Sequence, residues 1–211
     1  MWYNDLMIID NNFLSIEEIK HLQNVMYEEP KWKFPWIFNK STNIKTDNYA
    51  ILDGKNIIDS PQFVHMAMFN KQKQSPFADT CISILNKFSS KNNIIVNDIV
   101  RIKANMILKN GNSGMHYPHV DADKNHLVFL YYVNDSDGDT IFFNEKYNGD
   151  KIDSLSIMKN VSPESGKAIV FDGLTYHASS SPVKSDFRCV INIDFIGSLW
   201  YNSNGPAQSA V

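Results

Sequence analysis

The sequence predicts an α+β, mainly β protein, a sandwich or jelly roll with supporting amino-terminal helices, and three observations carry that prediction. From Asn97 onward, strand-like runs rich in isoleucine, valine, phenylalanine and tyrosine are separated by turn residues. Ahead of them stand two helical patterns. No alternating strand-helix rhythm follows, which a doubly wound parallel sheet would need.

Ser15-Ile16-Glu17-Glu18 is a capping box, so a helix starts there. Ile16, Ile19, Leu22, Val25 and Met26 recur at near-helical spacing, and Pro30 ends the element. The stretch from Lys31 to Pro61, with Trp32, Trp36 and an asparagine-rich segment of no clean period, reads as loops with short strands. Pro76 to about Ser90 is a second helix, with Phe77, Cys81, Ile84, Leu85 and Phe88 on one side. The strand runs are 99–109, 115–122, 126–134, 140–145, 167–173 and 187–197, with turns at Asp137-Gly138 and Gly173. The expected organisation is one domain over 1–201, with helical support over 1–96 and a jelly-roll core over 97–197, followed by a flexible tail at 202–211.

A chain of 211 residues can bury a sizeable single core. A formal charge of -3 and a pI near 6.0 give no basic footprint, so nucleic acid is not an expected partner. Cys81 and Cys189 lie far apart and form neither a disulfide framework nor a CxxC metal site, which fits a reducing cytoplasmic setting. No apolar run is long enough to span a bilayer, and the first residues lack a leader pattern. Membrane is excluded as a partner, and the oligomeric state is open.

His119-Val120-Asp121 is the most informative tripeptide, because residues two apart on a strand share a face and can hold one ion jointly. A second histidine would complete a two-histidine, one-carboxylate triad with open positions, the pattern that suits iron(II). His177, a few residues beyond the apolar run KAIVFDG, is the candidate. Taken alone, His-x-Asp arises often by chance, as a surface histidine beside a solvated aspartate.

Arg188 adds weight, since an arginine within an apolar strand is costly unless paired. Phe187, Cys189, Ile191, Ile193 and Phe195 form one apolar face of that strand, while Arg188, Val190, Asn192 and Asp194 share the other, which should line a cavity. A guanidinium there suits bidentate capture of a carboxylate. Tyr132 could add its hydroxyl to the same group. The duller alternatives are a salt bridge from Arg188 to Asp194 or Asp172, and a core tyrosine.

With these residues in hand, the stretch from Ile99 to Phe195 resembles the prolyl 4-hydroxylase-like branch of the iron(II)/2-oxoglutarate dioxygenases. The likeness rests on His119-Val120-Asp121, Tyr131-Tyr132-Val133-Asn134, Asp137-Gly138-Asp139-Thr140, His177 and Arg188, in that order. The departure is at the turn, where the family often has two adjacent glycines. The resemblance implies a double-stranded β-helix. It implies iron(II) on His119, Asp121 and His177, and 2-oxoglutarate chelating that iron with its far carboxylate on Arg188 and Tyr132. It also implies dioxygen as oxidant and ascorbate as a supporting reductant. The implied reaction is hydroxylation of an aliphatic carbon, with a prolyl residue in a peptide or protein as the first substrate guess and a free amino acid or other small molecule as the runner-up.

His116 is expected at the cavity entrance or in a local hydrogen bond, His126 at a core or rim position, and His21 and His65 in structural roles. Asp123 reads as a solvated turn residue. Arg101 and Asn105 share the polar face of their strand, and one of them should touch co-substrate or substrate. Trp32, Trp36 and Tyr49 belong to a lid or to aromatic core. Two readings of another kind are a cupin-like jelly roll that binds without redox chemistry and a zinc hydrolase. Retention of three ligands with Arg188 argues against the first, and the lack of a HExxH helix against the second.

Overall fold

A computed structural model of the chain describes residues 6–28, 34–42, 49–51, 57–112 and 114–199. Trp32, Pro30 and the tail at 202–211, all part of the sequence expectations, lie outside the described residues, as does the side chain of Tyr49. The elements are β1 (Met7–Asp10), α1 (Ile16–Gln23) running into a π-helical turn (Asn24–Glu28), β2 (Ile37–Asn39), β3 (Tyr49–Ile51), β4 (Gln62–Phe69), β5 (Gln72–Lys73) and α2 (Phe77–Lys91). There follow β6 (Ile94–Leu108), β7 (Leu127–Tyr132), β8 (Thr140–Lys146), β9 (Ile152–Ser154), β10 (Ile157–Val161), β11 (Ala168–Asp172), β12 (Thr175–Ser179) and β13 (Phe187–Leu199).

These strands build a large antiparallel sheet in the order β1-β11-β7-β13-β6-β4-β2, with β5 beside β4, and a smaller sheet in the order β10-β8-β12. Strand alternation divides the large sheet into two chemical faces. On β7 and β13, Phe129, Tyr131, Cys189, Ile191, Ile193 and Phe195 pack with Leu22 of α1 and with Cys81, Leu85 and Phe88 of α2. The intervening residues Val128, Leu130, Tyr132 and Val190 turn the other way and meet Phe142 of β8 and Val161 of β10. The result is three layers: helices, large sheet, small sheet. The predicted jelly roll with helices on one face is the observed architecture.

Ser15 caps α1 with both halves of the capping box formed, accepting from the Glu18 amide at 3.3 Å while Glu18 Oε2 accepts from the Ser15 amide at 2.7 Å. Ile16, assigned to the buried face, is 67% exposed, because it occupies the first helical position before the chain has turned onto the sheet. Three parts of the sequence reading need correction. Residues 62–69, read from the sequence as an irregular region around His65, form a full strand at the β6 edge. The segment 115–122 is not a continuous strand: it meets β12 and the residue after it through isolated bridges, Met115 to Ser180 and His119 to His177, and through the His116 amide on the Ser179 carbonyl, and Pro118 between them has no amide to give to a ladder. His177 lies within the short strand β12, where a position at a strand end was expected.

Candidate active site

His119 and His177 face each other across a narrow backbone bridge, each amide donating to the other's carbonyl, at 2.9 and 3.0 Å. That pairing sets the two imidazoles side by side, with ring centroids 4.5 Å apart. Each ring is fixed through Nδ1, which lies 3.3 Å from the Tyr117 carbonyl in His119 and 3.0 Å from the Thr175 carbonyl in His177. Each Nδ1 therefore carries the proton and donates it, so both Nε2 atoms are left as lone-pair donors. They point at the Asp121 carboxylate, 3.9 and 3.5 Å away, and one ligand atom from each of the three residues lies within 4.8 Å of the others.

The carboxylate is held from two further directions. Arg101 Nη2 donates to Asp121 Oδ1 at 2.5 Å, and Asn192 Nδ2 donates to Oδ2 at 3.2 Å. Burial alone would raise the Asp121 pKa. Arg101 and the two imidazoles overcome that and hold the carboxyl well below the usual range. His119 is pushed down to about 3, by burial first and by His177 second, so it is neutral near pH 7. A neutral His119 imidazole and an ionised Asp121 carboxylate are protonation states a divalent ion requires.

Arg188, 3% exposed, stands at the other end of the same cavity. It pairs with neither Asp194 nor Asp172: Asp194 faces Arg101 and Asp172 faces Lys146. Its Nε donates to the Gly138 carbonyl at 2.8 Å and its Nη2 to Thr140 Oγ1 at 2.7 Å, with no carboxylate in salt-bridge range among the described residues. Burial lowers its pKa from the ordinary value, the mark of a cation short of counter-charge. The departure at the Asp137-Gly138 turn is accommodated here. A Cβ at position 138 would meet the Ser180 carbonyl at 2.6 Å and Arg188 Cδ at 3.1 Å, so the single glycine lets β8 close on the arginine.

The Tyr132 hydroxyl does not line the cavity; it donates to Thr140 Oγ1 at 2.7 Å, beneath the arginine. Thr140 thus accepts from both Tyr132 and Arg188, and its own O–H is the donor that remains for a ligand. Sequence reasoning put Asn192 on the cavity face without giving it a role, quoted Thr140 only as part of the turn, and missed Lys103. The signal for Lys103 was present, since it shares the two-residue alternation that singled out Arg101 and Asn105.

His116 hydrogen-bonds to Ser179 and Ser181, at 2.8 and 3.0 Å, and is not a ligand. His126 bonds the Lys124 carbonyl at 2.7 Å, and His65 bonds Ser75 at 2.7 Å. Asn105 donates to Gln62 at 2.6 Å, and Asp123 is an exposed bend residue.

No protein-family model and no curated protein matches this sequence. Among solved structures, a 2-oxoglutarate/iron(II) oxygenase-family oxidoreductase from Burkholderia pseudomallei superposes with a TM-score of 0.58 at 14% identity, over 90% of this chain and 84% of that one. A Trichoplax adhaerens prolyl hydroxylase, solved with a hypoxia-inducible-factor peptide fragment, gives 0.56 at 14% identity, over 90% and 83%. The α-ketoglutarate-dependent non-haem epimerase SnoN of nogalamycin biosynthesis gives 0.57 at 12%, over 92% and 79%. The chain has the 2-oxoglutarate/iron(II) oxygenase fold. Within that oxygenase fold the likeness extends beyond the prolyl-hydroxylase branch, as the epimerase shows, so the fold leaves substrate and reaction outcome undetermined.

Proposed function

We propose that the protein is an iron(II)- and 2-oxoglutarate-dependent dioxygenase that hydroxylates an aliphatic carbon. The observation that carries this reading is the pairing of two features in one cavity. One is a His-Asp-His donor set with both Nε2 atoms freed by backbone acceptors, and the other is a buried, carboxylate-free arginine.

The donor set fits iron(II): two imidazole nitrogens and one carboxylate are the ligands of the facial triad, which leaves coordination positions open. His119, Asp121 and His177 would hold the ion, which when bound activates dioxygen at the expense of the 2-oxo acid. Everything else is positioning by the chain. Arg188 and the Thr140 hydroxyl take the far carboxylate of 2-oxoglutarate, with Tyr132 acting through Thr140. Arg101 and Asn192 fix the orientation of the Asp121 carboxylate. Leu130, Phe171 and Val190 supply an apolar lining that keeps bulk water from the bound co-substrate. A cytoplasmic setting accords with the two buried free cysteines.

A prolyl residue in a peptide is the substrate suggested by the Trichoplax neighbour, and a small molecule is the one suggested by the charged lining of the cavity. The deciding test of cofactor chemistry is anaerobic titration with iron(II) and 2-oxoglutarate. The visible charge-transfer band of the chelate is expected in wild type and absent in His177→Ala. A wild-type protein that gives no band overturns the reading.

A further inference from the structure

We propose that Lys103 anchors the free carboxylate of the primary substrate, and that this substrate is an amino acid with an unblocked α-carboxylate, either free or N-acylated. The inference rests on the dioxygenase reading for its assignment of Arg188 to the co-substrate.

The cavity wall is laid down by paired alternation on β6 and β13. Across that ladder Asn192 stands opposite Lys103 and Asp194 opposite Arg101. Arg101, Lys103, Asp121, Asn192 and Arg188 all line the cavity. Two of the three cations have assigned counter-charges. Arg101 contacts the carboxylates of Asp121 and Asp194, and Arg188 is committed to 2-oxoglutarate. Iron(II) and the 2-oxoglutarate dianion cancel each other, so loading the site leaves its balance unchanged. Among the described residues that line the cavity or contact Arg101, one positive charge remains, and it belongs to Lys103.

The Lys103 ammonium makes no hydrogen bond or ion pair among the described residues. Burial, and then Arg101, lower its pKa from the ordinary value, as expected of an ammonium lacking a partner. Across the ladder, Asn192 gives its amide N–H to Asp121 at 3.2 Å, which fixes the orientation of the group, and its Oδ1 is buried with no partner among the described residues. A buried acceptor of this kind calls for a donor. An ammonium without an anion and an acceptor without a donor, directly opposite each other across the ladder, are complementary to a carboxylate with an N–H on the adjacent carbon. The single surplus charge matches a carboxylate better than a phosphate dianion. An interior prolyl residue carries neither a free carboxylate nor an N–H, and would leave both Lys103 and Asn192 Oδ1 unsatisfied.

The test uses two readouts on wild type, Lys103→Met and Lys103→Arg. The first is the anaerobic iron(II)/2-oxoglutarate band. The co-substrate affinity of Lys103→Met is expected to stay within about threefold of wild type, whereas a loss of about tenfold or more would make Lys103 a co-substrate anchor. That result overturns the proposal and leaves the dioxygenase reading standing; absence of the band in wild type overturns the reading instead. The second readout is anaerobic calorimetry on the loaded protein with the twenty free L-amino acids, their N-acetyl forms and the N-acetyl carboxamides. At least one carboxylate is expected to bind, with its carboxamide weaker by about tenfold or more. That preference should vanish in Lys103→Met and return in Lys103→Arg. Binding of the free form assigns a metabolite as substrate, and binding of the N-acetyl form alone assigns a chain carboxyl terminus. The proposal fails if no carboxylate binds, if the carboxamide binds equally well, or if Lys103→Met keeps the preference.

Discussion

Arg101 holds Asp121 from behind, donating to Oδ1 at 2.5 Å while its Nε lies 2.8 Å from Asp194 Oδ2. One guanidinium thus separates two buried carboxylates. The Nε contact is a close ion pair without hydrogen-bond alignment, and among the described residues neither Arg101 Nε nor Asp194 Oδ1 has a hydrogen-bond partner. Burial, and then Asp121, raise the Asp194 pKa to about 6.

Removing the guanidinium exposes that repulsion directly. Arg101→Met is expected to destabilise the metal-free protein at pH 7 by about 3 kcal/mol, the scale for breaking a buried ion pair. The sign of the pH dependence follows from Asp194. A carboxyl whose folded pKa lies above its unfolded value costs stability above about pH 6, and that cost is relieved as the pH falls toward the unfolded value. The loss should therefore be smaller at pH 5 than at pH 7 in chelator-treated urea titrations. Equal losses at both values would mean that the two carboxylates do not interact.

The threonine between Arg188 and Tyr132 separates two roles that the sequence left merged. Arg188→Met is expected to weaken 2-oxoglutarate binding roughly 30-fold or more, the effect of removing one partner of a buried charge pair. Thr140→Val should cost about tenfold, since it removes the shared acceptor of Tyr132 and Arg188 and a hydroxyl that lines the cavity beside Arg188. Tyr132→Phe, a layer further back, should cost less than about threefold. Direct contact between Tyr132 and the co-substrate would reverse the order of the last two, which equilibrium binding of 2-oxoglutarate to the iron-loaded variants can read.

What could be read in the chain was set by how local the cause was. The capping box at Ser15 and the alternation of β7 and β13 are determined by neighbours in sequence, and both were legible. So was the division of β13 into a helix-facing side and a cavity-facing side. The Arg101 contact with Asp121 and the meeting of Thr140 with Arg188 join residues on different elements. No period in the sequence encodes them. Strand β4 escaped notice because its β character comes from pairing with β6, not from its own residues.

Metal loading should be visible as stability. In wild type, iron(II) or manganese(II) at about 100 times its dissociation constant is expected to add about 2.7 kcal/mol to the unfolding free energy. His119→Ala, Asp121→Ala and His177→Ala should fold without metal yet lose most of that increment, together with turnover. A ligand variant that keeps the full metal-dependent shift would show that the ion binds elsewhere.

His116 gives the metal-free protein a second pH signature, with the opposite slope to that of Asp194. It is 1% exposed, hydrogen-bonded to Ser179 and Ser181, and its pKa is lowered to about 4 by burial first and by Arg188 second. Here the folded pKa lies below the unfolded one, so between about pH 6.5 and 4 the unfolded chain takes up a proton that the folded chain does not. Stability falls through that window as the pH is lowered. His119, lowered to about 3, adds to the same slope when no ion is bound. The thermal midpoint in chelator should therefore drop from pH 7 to pH 4.5, and more steeply in wild type than in His116→Gln, which keeps hydrogen-bonding capacity toward the two serines and cannot take up the proton. Parallel curves for the two proteins would mean that burial of His116 does not govern the acid limb.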